Sequence, residues 1–429
     1  MFQQSSQHVD SYYAHSCADI LRDRTVLEGE HDADVVIVGA GFSGLHTALR
    51  LALAGKRVVV LEASRVAWAA SGRNGGQAIL GWSCDMPPLE AALGHERAKR
   101  LWDGMRWAAR ELRELPGRHG FDIDYRPGHL WTSVMPRRVS LLSEWQHEAS
   151  HKWGHDGLQF IPREQLPAWV ATDRYQAGLY DPEGAHLNPL KLALGLAAAI
   201  ERAGGRIHEQ SKALSYQEQG GGFRVNTEHG SVRADVLVLA CNAYLDELDP
   251  QLSSCILPVG TYQVATAPLT PEQATALLPR NVCVTDNQFV LDYFRRTPDN
   301  RLLFGGGCTY LGGRLIVRSM CPPQANSMPT PLSCGNTRSR NGRVAAAMSL
   351  GMPPDVGGEG NRYWLQGYSG HGVLPTLAAA RAVSDAILGD CDELALYQGL
   401  SNGRFPGGKH FAAPLEAIGK AWYRLRDSI

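Results

Sequence analysis

A mixed α/β fold, α+β overall, is predicted for this chain: a parallel-sheet domain interleaved with a second domain on a mostly antiparallel sheet. Three observations predict it. Asp34–Val38 (DVVIV), Phe42–Ala54 and Arg57–Leu61 (RVVVL) read as strand, helix, strand, and a crossover unit of about 30 residues makes its two strands parallel. Gln288–Tyr293 and Arg301–Phe304 read as an antiparallel pair. Tyr363–Gln366 is a late strand, followed by the turn Gly367–Gly372 and a helix from Val373 to Leu388, so the chain returns to the first domain near its end.

The elements between follow in order. Glu90–Leu115 has a helical pattern that ends at Pro116, and Arg138–Trp153 is a helix bounded by Pro136 and Gly154. Asn188-Pro189 opens a helix over Leu190–Ala203, and Gly204-Gly205 closes it. Arg206–His208, Phe223–Thr227 and Val236–Leu239 follow as strands. These assignments divide the chain into a discontinuous domain (31–86, 160–255 and 355–429) and a second one (87–159 and 256–354). Arg314–Gly351 stands apart as anomalous. It is rich in Ser, Pro, Asn, Arg and Met, and neither a 3.6-residue nor a 2.0-residue apolar period survives there.

The 429 residues suffice for two or three domains and a large core. Hydrophobic residues at 44% and charged residues at 20% predict a soluble globular protein. With 42 Lys+Arg against 43 Asp+Glu, the chain lacks the basic excess of a nucleic-acid or membrane-surface binder. No stretch reaches the roughly 18 apolar residues of a membrane span, and Met1–Asp10 has no apolar signal core. Nine cysteines, an odd number with no C-x-x-C pair, predict a reducing compartment, hence the cytoplasm, and no metal site.

Gly39-Ala40-Gly41-Phe42-Ser43-Gly44 is a G-x-G-x-x-G run between a strand and a helix, the context this motif requires. Gly39 permits the tight turn, Gly41 lets the backbone approach a pyrophosphate, and Gly44 allows close helix–strand packing. The helix N-terminus offers free N–H groups to phosphates. Glu62 ends the second strand, where a carboxylate accepts from ribose hydroxyls. The first domain is therefore Rossmann-like. The chain then runs through the polar loop Ala70–Gln77 (ASGRNGGQ) and returns at Gly367–Val373 (GYSGHGV). A site split between both ends of the chain suits FAD better than a nicotinamide dinucleotide.

These residues resemble the glycine/D-amino-acid oxidase (DAO) family of FAD-dependent amine oxidoreductases, and within it the branch of bacterial polyamine catabolism acting on γ-glutamylated polyamines. The resemblance rests on Ser11–Ala14 (SYYA), LEASRVAWAASGRNGGQ at 61–77, DYRPGHLW at 124–131, ADVLVLACNAYL at 234–245, LDYFRRTPDNRLLFGGG at 291–307, LQGYSGHGV at 365–373 and FPGG at 405–408. It covers roughly 11–313 and 355–429, so Arg314–Gly351 does not match. There the family places a strand that helps wall the flavin. The pattern of two matching flanks around an unmatched stretch resembles a shifted reading frame, or else a divergent insert.

The resemblance implies that Gly39, Gly41, Phe42, Ser43 and Gly44 hold the pyrophosphate, and that Glu62 and Ala63 meet the adenosine ribose. Ser71, Arg73, Asn74, Gly75, Gly76 and Gln77 would run towards the flavin. Ala213 would occupy a strand position pairing with adenine. Gly370, His371, Gly372 and Val373 would face the flavin's pyrimidine end. It further implies a non-covalent FAD, a small-molecule amine as substrate, oxygen or another electron acceptor, and an aldehyde formed through an imine. Candidates for the substrate side are Tyr293 lining an amine pocket, His371 tuning the flavin or capping its helix, and Arg126 or Arg295 pairing with a substrate carboxylate. An amino-acid or N-methyl-amino-acid oxidase or dehydrogenase of the same fold stays open, as does a flavin-binding relative inactivated at 314–351. His147-Glu148-Ala149-Ser150-His151 spells H-E-x-x-H on a helix. With no third ligand marked and polar neighbours, it reads as a solvated helix face.

Overall fold

The computed structural model describes residues 5–288, 291–306, 344–349 (344–347 as backbone), 353–400 and 403–405. Two large sheets organise them. The first runs Asp355–Glu359, Arg362–Gln366, Gly230–Leu239, Gly29–Val38, Val58–Leu61, Arg206–His208. Four of the five pairings along this order are parallel, with Ile37 opposite Val60 on one side and Val238 on the other. Parallel strands need cover on both faces, and alternate residues here enter two different cores. Val35, Ile37, Val58, Val60 and Val238 pack with Leu45, Leu49, Leu196 and Leu377 from the helices Phe42–Leu53, Pro189–Arg202 and Val373–Ile387. Val36, Val38, Val59, Leu61, Leu237 and Leu239 face the opposite way, towards Phe223, Val225 and Val232 of an antiparallel ribbon.

The second sheet runs Gln263–Ala265, Leu302–Gly305, Tyr293–Arg296, Cys283–Asp286, Arg126–Ser133, Ala177–His186, Gln77–Ala78, with Gln159–Pro162 also on Ala177–His186. Only Cys283–Asp286 against Arg126–Ser133 is parallel; the other pairings are antiparallel. Mixed α/β architecture with one parallel and one mostly antiparallel sheet is thus as expected.

Several boundaries differ from the sequence reading. The helix expected over Glu90–Leu115 is two, Met86–Leu93 and His95–His119, because Gly94 turns to φ +79° between them. Pro116 does not end the second helix. A proline removes only its own N–H, and its carbonyl still accepts from Gly120, where the helix stops in the left-handed region. The strand expected at Gln288–Tyr293 lies further on, at Tyr293–Arg296, and Phe289 and Val290 fall outside the described residues. Gln159–Pro162 and Ala177–His186 join the second sheet, so the expected division at 159/160 does not coincide with the sheets. Within the anomalous stretch, Val344–Ser349 is a strand paired with Ile256–Thr261. No side-chain period marked it, because the backbone ladder with its partner makes it a strand. The rest of 314–351 lies outside the described residues, as does FPGG beyond Phe405. Among the described residues, no helix is long and apolar enough to cross a membrane.

Candidate functional site

The fingerprint turn forms as its glycines require. Gly39 sits at φ +107°, and a Cβ there would come 2.7 Å from the Ala240 carbonyl oxygen. Gly41 is the N-cap of the helix and offers no side chain to cap it. Ser71 supplies the cap from the next loop, its Oγ accepting from the Phe42 N–H at 2.9 Å. Ser43 Oγ lies 2.8 Å from the Tyr368 hydroxyl. Glu62 binds back to the turn. One carboxylate oxygen accepts from Ala40 N–H and the other from Ser64 N–H, each at 2.9 Å, bracketing Ala63. Burial outweighs these bonds and pushes the Glu62 carboxyl up to about 7. Gln210 N–H and Ser211 N–H donate to the Ser64 and Glu62 carbonyls, which lays the segment holding Ala213 beside Glu62. Ala213 is buried, but it lies in the connection before the strand Ser215–Gln219, not on a strand as expected. Leu214, its neighbour, donates to Asn226, and strand pairing begins one residue later.

Arg73 follows Ser71 by two residues on the same loop. Its guanidinium lies 4.4 Å over the Trp68 ring, and its Nε and Nη2 are buried with no partner among the described residues. Burial lowers its pKa from the usual arginine value. Two buried guanidinium nitrogens without a partner among the described residues are donors that an anion would satisfy, as are the N–H groups of a helix N-terminus. The donor set therefore fits the pyrophosphate of a dinucleotide, and the Glu62 carboxylate fits ribose hydroxyls.

The loop beyond Arg73 is tied on several sides. Asn74 Nδ2 donates to the carbonyls of Ala70 and Ser71, and its Oδ1 accepts from Gly76 N–H at 2.8 Å. The Asn74 carbonyl accepts from the Tyr13 hydroxyl at 2.7 Å, and the Gly75 carbonyl accepts from Arg295 Nε at 2.6 Å. The Tyr293 ring packs on Gly75, where a Cβ would come 2.7 Å from the ring. The Tyr293 hydroxyl accepts from Gln263 Nε2 at 3.2 Å. Gln77 turns away from the loop: its amide nitrogen donates to the Val284 and Phe294 carbonyls, and its oxygen accepts from Thr285 Oγ1. Gln77 therefore fastens the loop to the second sheet.

At the other end of the chain, Gly372 caps the helix Val373–Ile387, again without a side-chain cap bond. Gly370 (φ +83°) gives the preceding turn. His371 does not cap that helix. Its Nε2 meets the Ile79 carbonyl at 3.0 Å, just after Gln77–Ala78, and burial lowers its pKa below the usual imidazole range. The two arginine candidates separate. Arg126 is exposed at the start of its strand. Arg295 is 1% exposed and bonds to Gly75 and Tyr13, an arrangement that turns its fork towards the loop instead of a ligand. His147 and His151 stack at 3.9 Å on an exposed helix face. Sequence reasoning missed Tyr13, Trp68, Tyr368 and Glu209 as parts of this region. Glu209 bonds Arg65 at 2.8 Å and the Val66 N–H at 2.8 Å. Tyr13, Trp68 and Tyr368 sit inside quoted motif segments, but nothing in their spacing gave them a partner.

Known proteins resemble this chain in sequence and in fold. The family model described as DAO, FAD dependent oxidoreductase, matches residues 34–386. The chain is 37% identical over 428 residues to gamma-glutamylputrescine oxidoreductase of Escherichia coli (strain K12), covering 99% of each chain. It is 33% identical to a probable oxidoreductase, OrdL, of Haemophilus influenzae, covering 98% of each. Among solved structures, glycine oxidase from Bacillus cereus superposes with a TM-score of 0.67 at 19% identity, covering 87% of this chain and 99% of that one. At that identity the likeness concerns the fold.

Proposed function

This chain belongs to the DAO family of FAD-dependent oxidoreductases, and from that premise we propose that it oxidises a γ-glutamylated polyamine such as γ-glutamylputrescine to an aldehyde, using non-covalent FAD. The observation that carries the substrate class is the 37% identity, spanning 99% of both chains, with a gamma-glutamylputrescine oxidoreductase. When bound, FAD would supply the oxidising chemistry: acceptance of a hydride from the carbon that bears the amine, with oxygen or another acceptor taking the electrons in turn.

The chain's own residues bind and orient. The first turn of the helix Phe42–Leu53 and Arg73 would hold the pyrophosphate. Glu62 would hold the ribose, with Ala213 beside the adenine. The loop Asn74–Gly76, and His371 with Gly372, would border the flavin. Tyr293, packed on Gly75 and held by Gln263, gives the loop an aromatic neighbour that suits an amine-bearing chain. Arg126, not Arg295, remains the arginine open to a substrate carboxylate. Only a neutral amine can give up hydride, so turnover rises with pH across the amine's titration. The imine then takes up water and releases ammonia. We place this activity in the cytoplasm, in keeping with the free thiols of Cys17, Cys84, Cys241, Cys255, Cys283 and Cys391.

The test is an absorbance spectrum of the purified protein, followed by anaerobic γ-glutamylputrescine. An oxidised-flavin spectrum that bleaches supports cofactor and substrate together. A flavin reduced instead by sarcosine, proline or D-alanine moves the substrate to the amino-acid oxidases. A colourless protein removes the cofactor assignment.

A further inference from the structure

Arg295 is a large, permanently charged side chain at 1% exposure in the second sheet, and the reaction has no direct use for it there. Its contacts are specific. Nε donates to the Gly75 carbonyl at 2.6 Å and Nη2 to the Tyr13 hydroxyl at 3.0 Å. Tyr13 in turn donates its own proton to the Asn74 carbonyl at 2.7 Å. Burial raises the Tyr13 phenol above its ordinary range, so it stays a protonated donor. The relay joins three distant parts of the chain: the helix Tyr12–Ser16, the loop at 74–75 and the strand Tyr293–Arg296.

The consequence is geometric. All described peptide bonds are trans, and in a trans peptide the carbonyl and the N–H point in opposite directions. Two successive carbonyls, Asn74 and Gly75, are drawn towards Tyr13 and Arg295. The Gly75 N–H therefore points away from that pair, while the Gly76 N–H is taken by Asn74 Oδ1. The Gly75 N–H has no partner among the described residues.

We propose that Arg295 and Tyr13 are positioning residues that fix the two peptides on either side of Gly75 so that the Gly75 N–H is presented to the bound flavin. The proposal rests on the reading of 70–77 as a flavin loop. Arg295 is the right residue for the task because its planar fork reaches two acceptors at once, whereas a lysine is a point charge that would hold one.

The test uses purified holoenzyme of the wild type, Arg295→Gln, Arg295→Lys, Tyr13→Phe and the Tyr13→Phe/Arg295→Gln double variant. The readouts are the FAD release rate, followed by flavin fluorescence, and the visible absorption band of bound flavin. Arg295→Gln should release FAD at least tenfold faster and shift the band. Arg295→Lys should fall between it and the wild type. Tyr13→Phe should act in the same direction, by about threefold. The double variant should be no faster than Arg295→Gln, because the Tyr13 hydroxyl is itself held by Arg295 and the two peptides they hold share Gly75. Unchanged release and an unchanged band in folded variants would overturn the proposal, and so would additive effects of the two changes. If Arg295→Gln does not fold, Tyr13→Phe, which loses a single oxygen, carries the test alone. A wild-type protein that binds no FAD sinks the flavin reading instead. Wild-type binding with indifferent variants sinks only this inference.

Discussion

The hydroxyls of Ser43 and Tyr368 lie 2.8 Å apart, buried, and join the first turn of the fingerprint helix to the glycine turn before the helix Val373–Ile387. The two residues are 325 positions apart in sequence. The bond fixes how the two helix N-termini sit against each other, since those helices pack together over the same sheet.

Tyr368→Phe removes one hydroxyl and leaves Ser43 Oγ buried without this partner. We expect a loss of about 1–2 kcal/mol, read as a drop of about 2 °C in thermal midpoint. FAD release should quicken in the same variant. A midpoint equal to wild type would show that the bond carries no stability.

Glu62 gives a pH dependence whose sign is fixed. Its folded pKa is raised to about 7 from 4.5. Between those values the ligand-free folded chain holds a proton that the unfolded chain does not. Its contribution to stability is therefore full below 4.5 and is lost as pH rises through about 7. A ribose hydroxyl donating to Glu62 favours the ionised form, so FAD binding expels that proton. FAD affinity of the apoprotein should rise about fivefold from pH 6 to 7, about tenfold by pH 8, and level off above. Glu62→Gln should flatten the curve. Titration of FAD fluorescence at several pH values measures it, and a flat wild-type curve would rule the linkage out.

Arg73 has two buried nitrogens without a partner and a tryptophan face behind it. Arg73→Ala should weaken FAD binding about ten- to a hundredfold, the loss of a charge-assisted hydrogen bond. The protein itself should remain folded, because that nitrogen pair supports nothing else in the fold. Equal affinity in the variant would remove Arg73 from the cofactor site.

The fingerprint glycines should differ sharply. A Cβ on Gly44 would overlap the Gly39 carbonyl oxygen, which is backbone and cannot move aside. Gly44→Ala should therefore yield protein that is colourless or unfolded. A Cβ on Gly41 would meet only Ser71 Oγ, at 3.0 Å, and a rotatable side chain can yield. Gly41→Ala should fold and show its defect in FAD affinity alone. Circular dichroism and the visible spectrum of both variants separate these outcomes.

What the sequence determined by itself is what short-range rules encode. The β-branched runs at Asp34–Val38 and Arg57–Leu61 with glycines between them specify a parallel crossover unit, and that unit is found in register, Ile37 opposite Val60. The Asn188-Pro189 helix start was equally legible, because the Asn188 side chain caps its own helix at Lys191. Glu62 stood out because a fixed spacing from the fingerprint places it. Tertiary structure decided the rest. Arg295 read as a candidate for a carboxylate because sequence shows a charge but not its burial. The fold sinks it beneath the loop, where the Gly75 carbonyl oxygen and the Tyr13 phenol oxygen make its desolvation tolerable. Val344–Ser349 carried no side-chain period and becomes a strand only through its ladder with Ile256–Thr261. Gln77 and Ser71 lie in one polar loop, yet one turns to the second sheet and the other caps a helix. Spacing along the chain fixes local periodicity and capping. The partners of a buried polar group are chosen by which distant segments the packed core brings within hydrogen-bonding distance.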